Sequence, residues 1–430
     1  MTLGQSPKIA SSLQKLRSHR YLHVEINSGV ALAITLYFML FALAMLTTYI
    51  RGFIWAEGEP FDSIMPSAAN RFGDFFGVYD IWKMNNGFGG IGYGASYFPG
   101  LYVFVEVLRL LATDAWFALK LLCIFYLSVV SGTVLFFLRP RGLVVSLMGL
   151  TIVLVSYPSL IAFHTGNFEM LIFVLILLAA VAAHSDNWGI FSFLIGIAAS
   201  AKVFPGIFAL APFVLTTPKV AIRTFLSTVR TSIFFTLFAL ISLPGGLYDN
   251  GLSSFGKILN SISKSQSMYN ELMVTGVPGL HFGHSLLNGI HAAFGMNFLS
   301  SRVWSFPIMA IGLLWTIYSL FLIRKLQPPI WIVFGFLGCS GCIFAPTSTD
   351  YKLLYLLPAI ILYFRDAEKE TRSLAVVALL VSAIAPKPYW YVGTDAWTNA
   401  NVWLTPILLL LFQISCIVIL KSKQVASRNP

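Results

Sequence analysis

Apolar stretches long enough to cross a lipid bilayer recur along this chain from residue 29 to residue 420. A hydrocarbon core about 30 Å thick needs roughly twenty apolar residues of helix. Windows that approach this fall at 29–50, 98–112, 115–138, 143–160, 166–184, 188–216, 226–244, 303–323, 329–345, 350–364, 373–386 and 402–420. They predict about twelve transmembrane helices. Inside lipid the backbone has to satisfy its own hydrogen bonds, so runs of this kind fold as helices. Composition gives them no watery alternative: 57% of residues are hydrophobic, 10% are charged and the mean hydropathy is +0.80. A soluble domain carries about 25% charged residues. The expected fold class is an all-α polytopic membrane protein.

The net charge of +11 does not point to nucleic acid. Basic residues sit in short clusters between apolar runs ("PKVAIRTFLSTVR", "IRKLQPP", "RDAEKETR", "KSKQ"), as cytoplasmic loops do. The first run follows a basic leader with Lys8, Lys15, Arg17 and Arg20. It is too long for a signal-peptide core and reads as a retained anchor. The expected organisation is a cytoplasmic N-terminus over 1–28 and one transmembrane domain over 29–430, with two long outer loops, 51–96 and 245–300. One stretch leaves two arrangements open. Either 98–112 and 115–138 both cross, or 98–112 inserts in part and 188–216 is two short spans broken at Lys202–Pro205. The cysteines at 123, 339, 342 and 416 all lie in apolar runs. "CSGC" lacks the polar, helix-start setting of a redox pair and reads as small residues packing between helices.

Charge is scarce, so each carboxylate is informative. Asp74 and Asp80 lie in "RFGDFFGVYDIWKMNNGFGGIGYGASYFP", residues 71–99, among Phe72, Phe75, Phe76, Val78 and Tyr79. This reads as a helix on the membrane face followed by a glycine loop. The formal GxGxxG at Gly87, Gly89 and Gly92 precedes a span and not a βαβ unit, which excludes a dinucleotide site. Glu106 and Arg109, three apart on a helix, are expected to pair. Glu169 follows "HTGN" at the start of a span, and Asp350 precedes Lys352 at the outer end of another. Zinc-ligand pairs come at i, i+3 or i+4 with a third partner, and the histidines at 281, 284 and 291 do not supply that third partner.

At this point the motifs resemble those of a known family. "GDFFGVYDIW" is similar to the D-x-x-V-Y signature in the first outer loop of glycosyltransferase family 87, with one extra residue between Asp74 and Val78–Tyr79. "SYFPGLYVFVEVLRLL", "HTGNFEMLIFVLILLA", "IFSFLIGIAASAKVFPGIFAL", "GHSLLNGI" and "APTSTDYKLLYLLPAI" resemble later family elements in the same order, over roughly residues 70–365. Tyr351 and Lys352 stand where the family usually has two histidines, and Gly283–His284 replace a polar pair. The resemblance implies a type-C, membrane-embedded glycosyltransferase with a polyprenyl-phosphate sugar donor and a lipid or glycan acceptor. It places the site on the outer face of a bacterial inner membrane.

That chemistry needs a base for the acceptor hydroxyl and cations for the departing phosphate. Asp74 is the expected base, because it precedes Val78 and Tyr79 as the family's aspartate does. Asp80, Lys202, His281, His284, Arg302, Asp350, Tyr351 and Lys352 are the expected substrate contacts, with no metal and no other cofactor. Plainer roles compete: Asp74 as a helix cap, Lys352 snorkelling to the interface, Lys202 satisfying carbonyls freed at a helix break. The competing function is a transporter or flippase of a lipid-linked sugar, for which the Lys202–Pro205 break would speak.

Overall fold

The computed structural model describes residues 28–57, 63–64, 71–90, 97–251, 256, 258–260, 262–264, 267, 271–272, 282–294, 301–366, 374–386, 391–392 and 398–428. These residues are almost entirely helical. The helices are α1 (Ser28–Tyr49, continued by a π turn Ile50–Ile54), α2 (Gly73–Met84), α3 (Pro99–Leu111), α4 (Ala115–Leu138), α5 (Leu143–Val155), α6 (Tyr157–Thr165), α7 (Glu169–His184) and α8 (Trp188–Ala201). After them come α9 (Phe204–Leu215, starting as a 3-10 helix), α10 (Pro218–Ser242), α11 (Leu286–Phe294), α12 (Ser301–Arg324) and α13 (Ile330–Ile343). A 3-10 segment, Asp350–Leu356, leads into α14 (Leu357–Asp366), and α15 (Leu374–Ile384) and α16 (Asn401–Arg428) complete the series. One two-residue strand pair, Tyr391–Val392 with Thr398–Asn399, interrupts the pattern.

Five helices are long and apolar enough to cross a membrane: Ser28–Ile54, Ala115–Arg141, Pro218–Asp249, Ser305–Arg324 and Asn401–Ser422. A sixth span is available if α5 and α6, bent by 50° at Ser156, act together. Pro158 accounts for the bend, since its ring opposes continuation of the preceding helix. Ser156 and Ser159 both donate to the freed Val153 carbonyl. The other apolar windows form shorter helices, Glu169–His184, Trp188–Ala201, Phe204–Leu215, Ile330–Ile343 and Leu374–Ile384. Apolar residues such as Leu46, Phe136, Phe234, Leu314 and Val418 cover the outer surfaces of the long helices, as lipid contact requires.

The 13-residue α3 is about 20 Å long, shorter than a hydrocarbon core of about 30 Å. The 188–216 run is indeed interrupted, with Lys202 leaving the α8 helix in an extended conformation. Small residues at a spacing of four, Ser192, Gly196 and Ser200, let α8 lie close against its neighbours. Gly196 abuts Thr228 and Thr231 of α10, the Ser192 hydroxyl donates to Ser227 at 2.9 Å, and Ser200 packs on Gly100 of α3. Across the bundle, Gln413 of α16 donates to Ser340 and accepts from Trp315, tying α12, α13 and α16 together. Cys339 and Cys342 are buried in α13 without a disulfide, and the Cys342 thiol donates to the Lys352 carbonyl at 3.4 Å.

The helix expected around Asp74 and Asp80 is α2. It is more than a surface helix, because Phe75, Val78, Tyr79 and Trp82 are all buried. Trp82 stacks on Tyr102 at 4.6 Å and donates to Glu106 at 2.9 Å, and Glu106 is held by two bonds from Arg109, at 2.8 and 2.6 Å. The expected Glu106–Arg109 pair therefore also docks α2 onto α3. The glycines that follow form a 3-10 turn, Gly87–Gly90. Gly87 has φ +84°, and a Cβ there would lie 2.0 Å from the Pro244 carbonyl, so the close approach needs glycine.

Candidate active site

Four chain breaks meet inside the helical bundle. They are the start of α2, the α6–α7 turn, the α8–α9 break and the segment that enters the Asp350–Leu356 helix. Each brings polar backbone and a polar side chain into the interior of the bundle. Irregular backbone inside a membrane protein is tolerated where protein or a cavity satisfies it.

The first two breaks are clamped together. Phe72 donates its backbone N–H to the His164 carbonyl at 2.8 Å, Phe75 stacks on Phe168 at 5.6 Å, and Gly166 turns with φ +66°. A Cβ on Gly166 would lie 2.8 Å from Phe75 Cβ, so the "TGN" turn reaches α2 only because residue 166 is glycine. Phe72 itself takes a left-handed conformation, φ +58°, which costs a residue with a large side chain some strain. The result places Asp74 in the first turn of α2 with its Oδ2 2.6 Å from the Asn167 amide nitrogen. Asp74 is half-buried, and removal of its carboxylate from water raises its pKa. Hydrogen bonds from Asn167 and Thr165 and the charge of Lys202 act in the opposite direction without cancelling the shift.

Asn167 leads to the rest of the site. Its Oδ1 accepts from the Tyr97 hydroxyl at 3.0 Å and from the Glu169 backbone N–H at 2.8 Å. Glu169, fully buried, pairs with Lys202 through Oε1 and accepts from Tyr355 at 2.7 Å through Oε2. Lys202 also lies over the rings of Tyr97 at 5.1 Å and Tyr351 at 5.7 Å. Lys352, 2% exposed, donates to the Thr347 carbonyl and sits 4.6 Å from the Phe204 ring centre. His284 closes the group. Its Nε2 is 2.9 Å from the Ser348 hydroxyl, its Nδ1 is 3.5 Å from Asp350, and its backbone N–H donates to the Ser348 carbonyl at 2.9 Å.

The structure thus gathers six of the nine residues expected from sequence: Asp74, Lys202, His284, Asp350, Tyr351 and Lys352. Asp80 is not among them. Six residues on from Asp74 it projects from a different side of α2, and among the described residues no hydrogen bond or ion pair joins it to the cluster. His281 lies outside the described residues, and so does the side chain of Arg302. Sequence reasoning did not select Asn167, Glu169, Tyr97 or Tyr355. The available signal was Glu169, an acid opening an apolar run, which by default marks a functional position in a membrane protein.

The two lysines differ in their counter-charges. Lys202 is neutralised by Glu169. Among the described residues no carboxylate is close enough to Lys352 to pair with it. A buried cation without a counter-ion is costly. Phe204, whose ring Lys352 touches, also lines an apolar groove of about 630 Å³ between α9, α10, α12 and α13. Among the described residues no three histidine, cysteine or acidic side chains come together as a metal-binding group.

The sequence pattern of glycosyltransferase family 87 matches residues 96–346, more than half of the chain. The chain belongs to glycosyltransferase family 87. It is a membrane glycosyltransferase, and as such takes a sugar donor and an acceptor. No curated protein and no solved structure matches it. The family 87 match includes Tyr97, Asn167, Glu169, Lys202 and His284 and ends before Asp350, Tyr351 and Lys352; Asp74 precedes it. Those four residues lie outside the matched segment.

Proposed function

We propose that this family 87 member moves a sugar, mannose or another hexose or pentose, from a polyprenyl-phosphate carrier to a lipid or glycan acceptor. Transfer takes place at the outer face of a bacterial inner membrane. The short apolar helices pair into further crossings, giving about twelve in a type-C arrangement within one domain over 29–430. Asp74 takes the proton of the acceptor hydroxyl. The new bond from that oxygen to the anomeric carbon forms as the bond from the anomeric carbon to the phosphate oxygen breaks. The electron pair leaves with the polyprenyl phosphate. Lys352 holds the phosphate, with His284 and Tyr351 beside it, and Lys202 is kept in place by Glu169.

The observation that carries this reading is the uncompensated Lys352 behind Phe204, a residue that also lines the apolar groove. A ligand that fits both features has one anionic group and a long hydrocarbon chain. An outer carboxylate with a raised pKa, reached from the same cluster through Lys202 and Asn167, supplies the base.

The reading is tested with purified protein in detergent, given a polyprenyl-phosphate sugar and an acceptor. Turnover is expected, because the chemistry needs no sealed bilayer. Transport without transfer, seen only in vesicles, would instead make the chain a flippase.

Orientation has its own test. Positively charged loops on the opposite side put 51–96 and 245–300 outside. Single cysteines at Asn86 and Ser263, in a background without the four native cysteines, are expected to react with an impermeant maleimide in intact cells. Reaction only after lysis would invert the topology and move the transfer to the cytoplasmic face.

A further inference from the structure

We propose that Asn167 is the positioning residue for the Asp74 carboxylate, holding one of its oxygens on a side-chain amide that Tyr97 and the Glu169 backbone lock in one orientation. The inference rests on the reading of Asp74 as the base and goes beyond it. An asparagine amide has two ends of similar shape, and its surroundings decide which is which. The Glu169 N–H, 2.8 Å away, is only a donor, so the atom facing it is the amide oxygen. The Tyr97 hydroxyl donates to that same oxygen at 3.0 Å. The amide nitrogen is left pointing at Asp74 Oδ2, at 2.6 Å. Asn167 is 2% exposed and Tyr97 5%, so water does not compete for these bonds.

Two consequences follow. The carboxylate is held in one rotation, which keeps its remaining lone pairs aimed where an acceptor hydroxyl has to arrive. The donated hydrogen bond also favours the ionised form, the form that accepts a proton, against the effect of burial. Other ionisable groups around Asp74 do not perform this task. Lys202 acts on it through its charge, and Glu169 is committed to Lys202 and Tyr355. The elements packed against α2 also carry Glu106 and Arg109, paired with each other on α3, Asp114 and Lys120 at the start of α4, and His164 on α6.

The test is the pH dependence of turnover in the purified enzyme for Asn167→Ala, Asn167→Asp and Asn167→Gln. Asn167→Ala is expected to lower kcat about 10-fold or more, with the donor KM nearly unchanged, as loss of an alignment effect would. Its acid limb should move upward by about one pH unit. Asn167→Asp should move the limb further, because two carboxyl groups at hydrogen-bond distance share a proton. Asn167→Gln, which keeps an amide, should recover part of both losses. An acid limb that stays at the wild-type pH in the alanine and aspartate variants overturns the inference. If neither variant folds, Tyr97→Phe removes one of the two locks and retains the ring over Lys202. It should shift the limb in the same direction by a smaller amount, and no shift again overturns the inference. Asp74→Asn separates the two levels. Full turnover there removes the base itself, whereas an inactive Asp74→Asn enzyme with unmoved limbs in the Asn167 series rejects only the role of Asn167.

Discussion

Asp74→Asn is expected to lower turnover by about 10²-fold or more, the usual size of a general-base contribution, with expression and donor affinity nearly unchanged. Asparagine has almost the shape of aspartate, and its carbonyl oxygen can still accept from the Asn167 amide nitrogen. The α2 start and its contacts to the "TGN" turn should therefore survive. What disappears is the ability to take a proton. In the wild-type enzyme turnover should fall as pH drops through the Asp74 pKa, which burial has moved above that of an ordinary aspartate. That acid limb should be absent from whatever activity Asp74→Asn retains. Asp80→Asn, outside the cluster, should cost far less. Near-normal rates for the Asp74 variant, or a collapse confined to the Asp80 variant, would sink the assignment.

Lys352 is expected to separate binding from stability. Removing a charge-assisted contact to the donor phosphate costs roughly 1.5–3 kcal/mol, or about 10- to 150-fold. Lys352→Ala should weaken donor binding and turnover on that scale, and Lys352→Arg should retain part of both. The ligand-free protein should behave differently. A buried ammonium with no counter-ion destabilises the fold that contains it, so Lys352→Met, similar in length and uncharged, should not lower the melting temperature. Donor added to the wild type should raise that temperature, and donor added to Lys352→Met should raise it much less. Unchanged kinetics in the alanine variant would leave Lys352 only the structural role of holding the Thr347 carbonyl.

The features legible in the sequence were those written in neighbouring residues. The apolar runs gave the helical class, Lys202–Pro205 offered the break after α8 as one of two arrangements, and the spacing of Glu106 and Arg109 gave their pair. Asp74, Lys202 and Lys352 stood out because a charge inside an oily chain has few innocent uses. The links between them were not legible. Asn167 meets Asp74 across a separation of 93 residues, and only the folded turn at Gly166 brings them together. Tyr97 and Tyr355 looked like any interfacial or core tyrosine, since their role lies in the direction of a hydroxyl. Glu169 was visible as an isolated acid, but its partner Lys202 belongs to another helix end. The bend at Ser156, inside the 143–160 window, was not legible either, because an apolar window does not register a turn within it.

The groove beside Lys352 has a kinetic consequence. Its lining residues Val203, Ile233, Leu313 and Ile317 are 53%, 53%, 50% and 48% exposed, and all four are apolar, as a surface against lipid would be. A substrate that enters between them comes sideways out of the bilayer and never passes through water. The enzyme would then sense how crowded the membrane is with donor, as a two-dimensional density, and not the molarity of the suspension. Adding inert lipid or detergent at constant total donor would slow the reaction by surface dilution, and adding buffer would leave the rate per enzyme molecule unchanged.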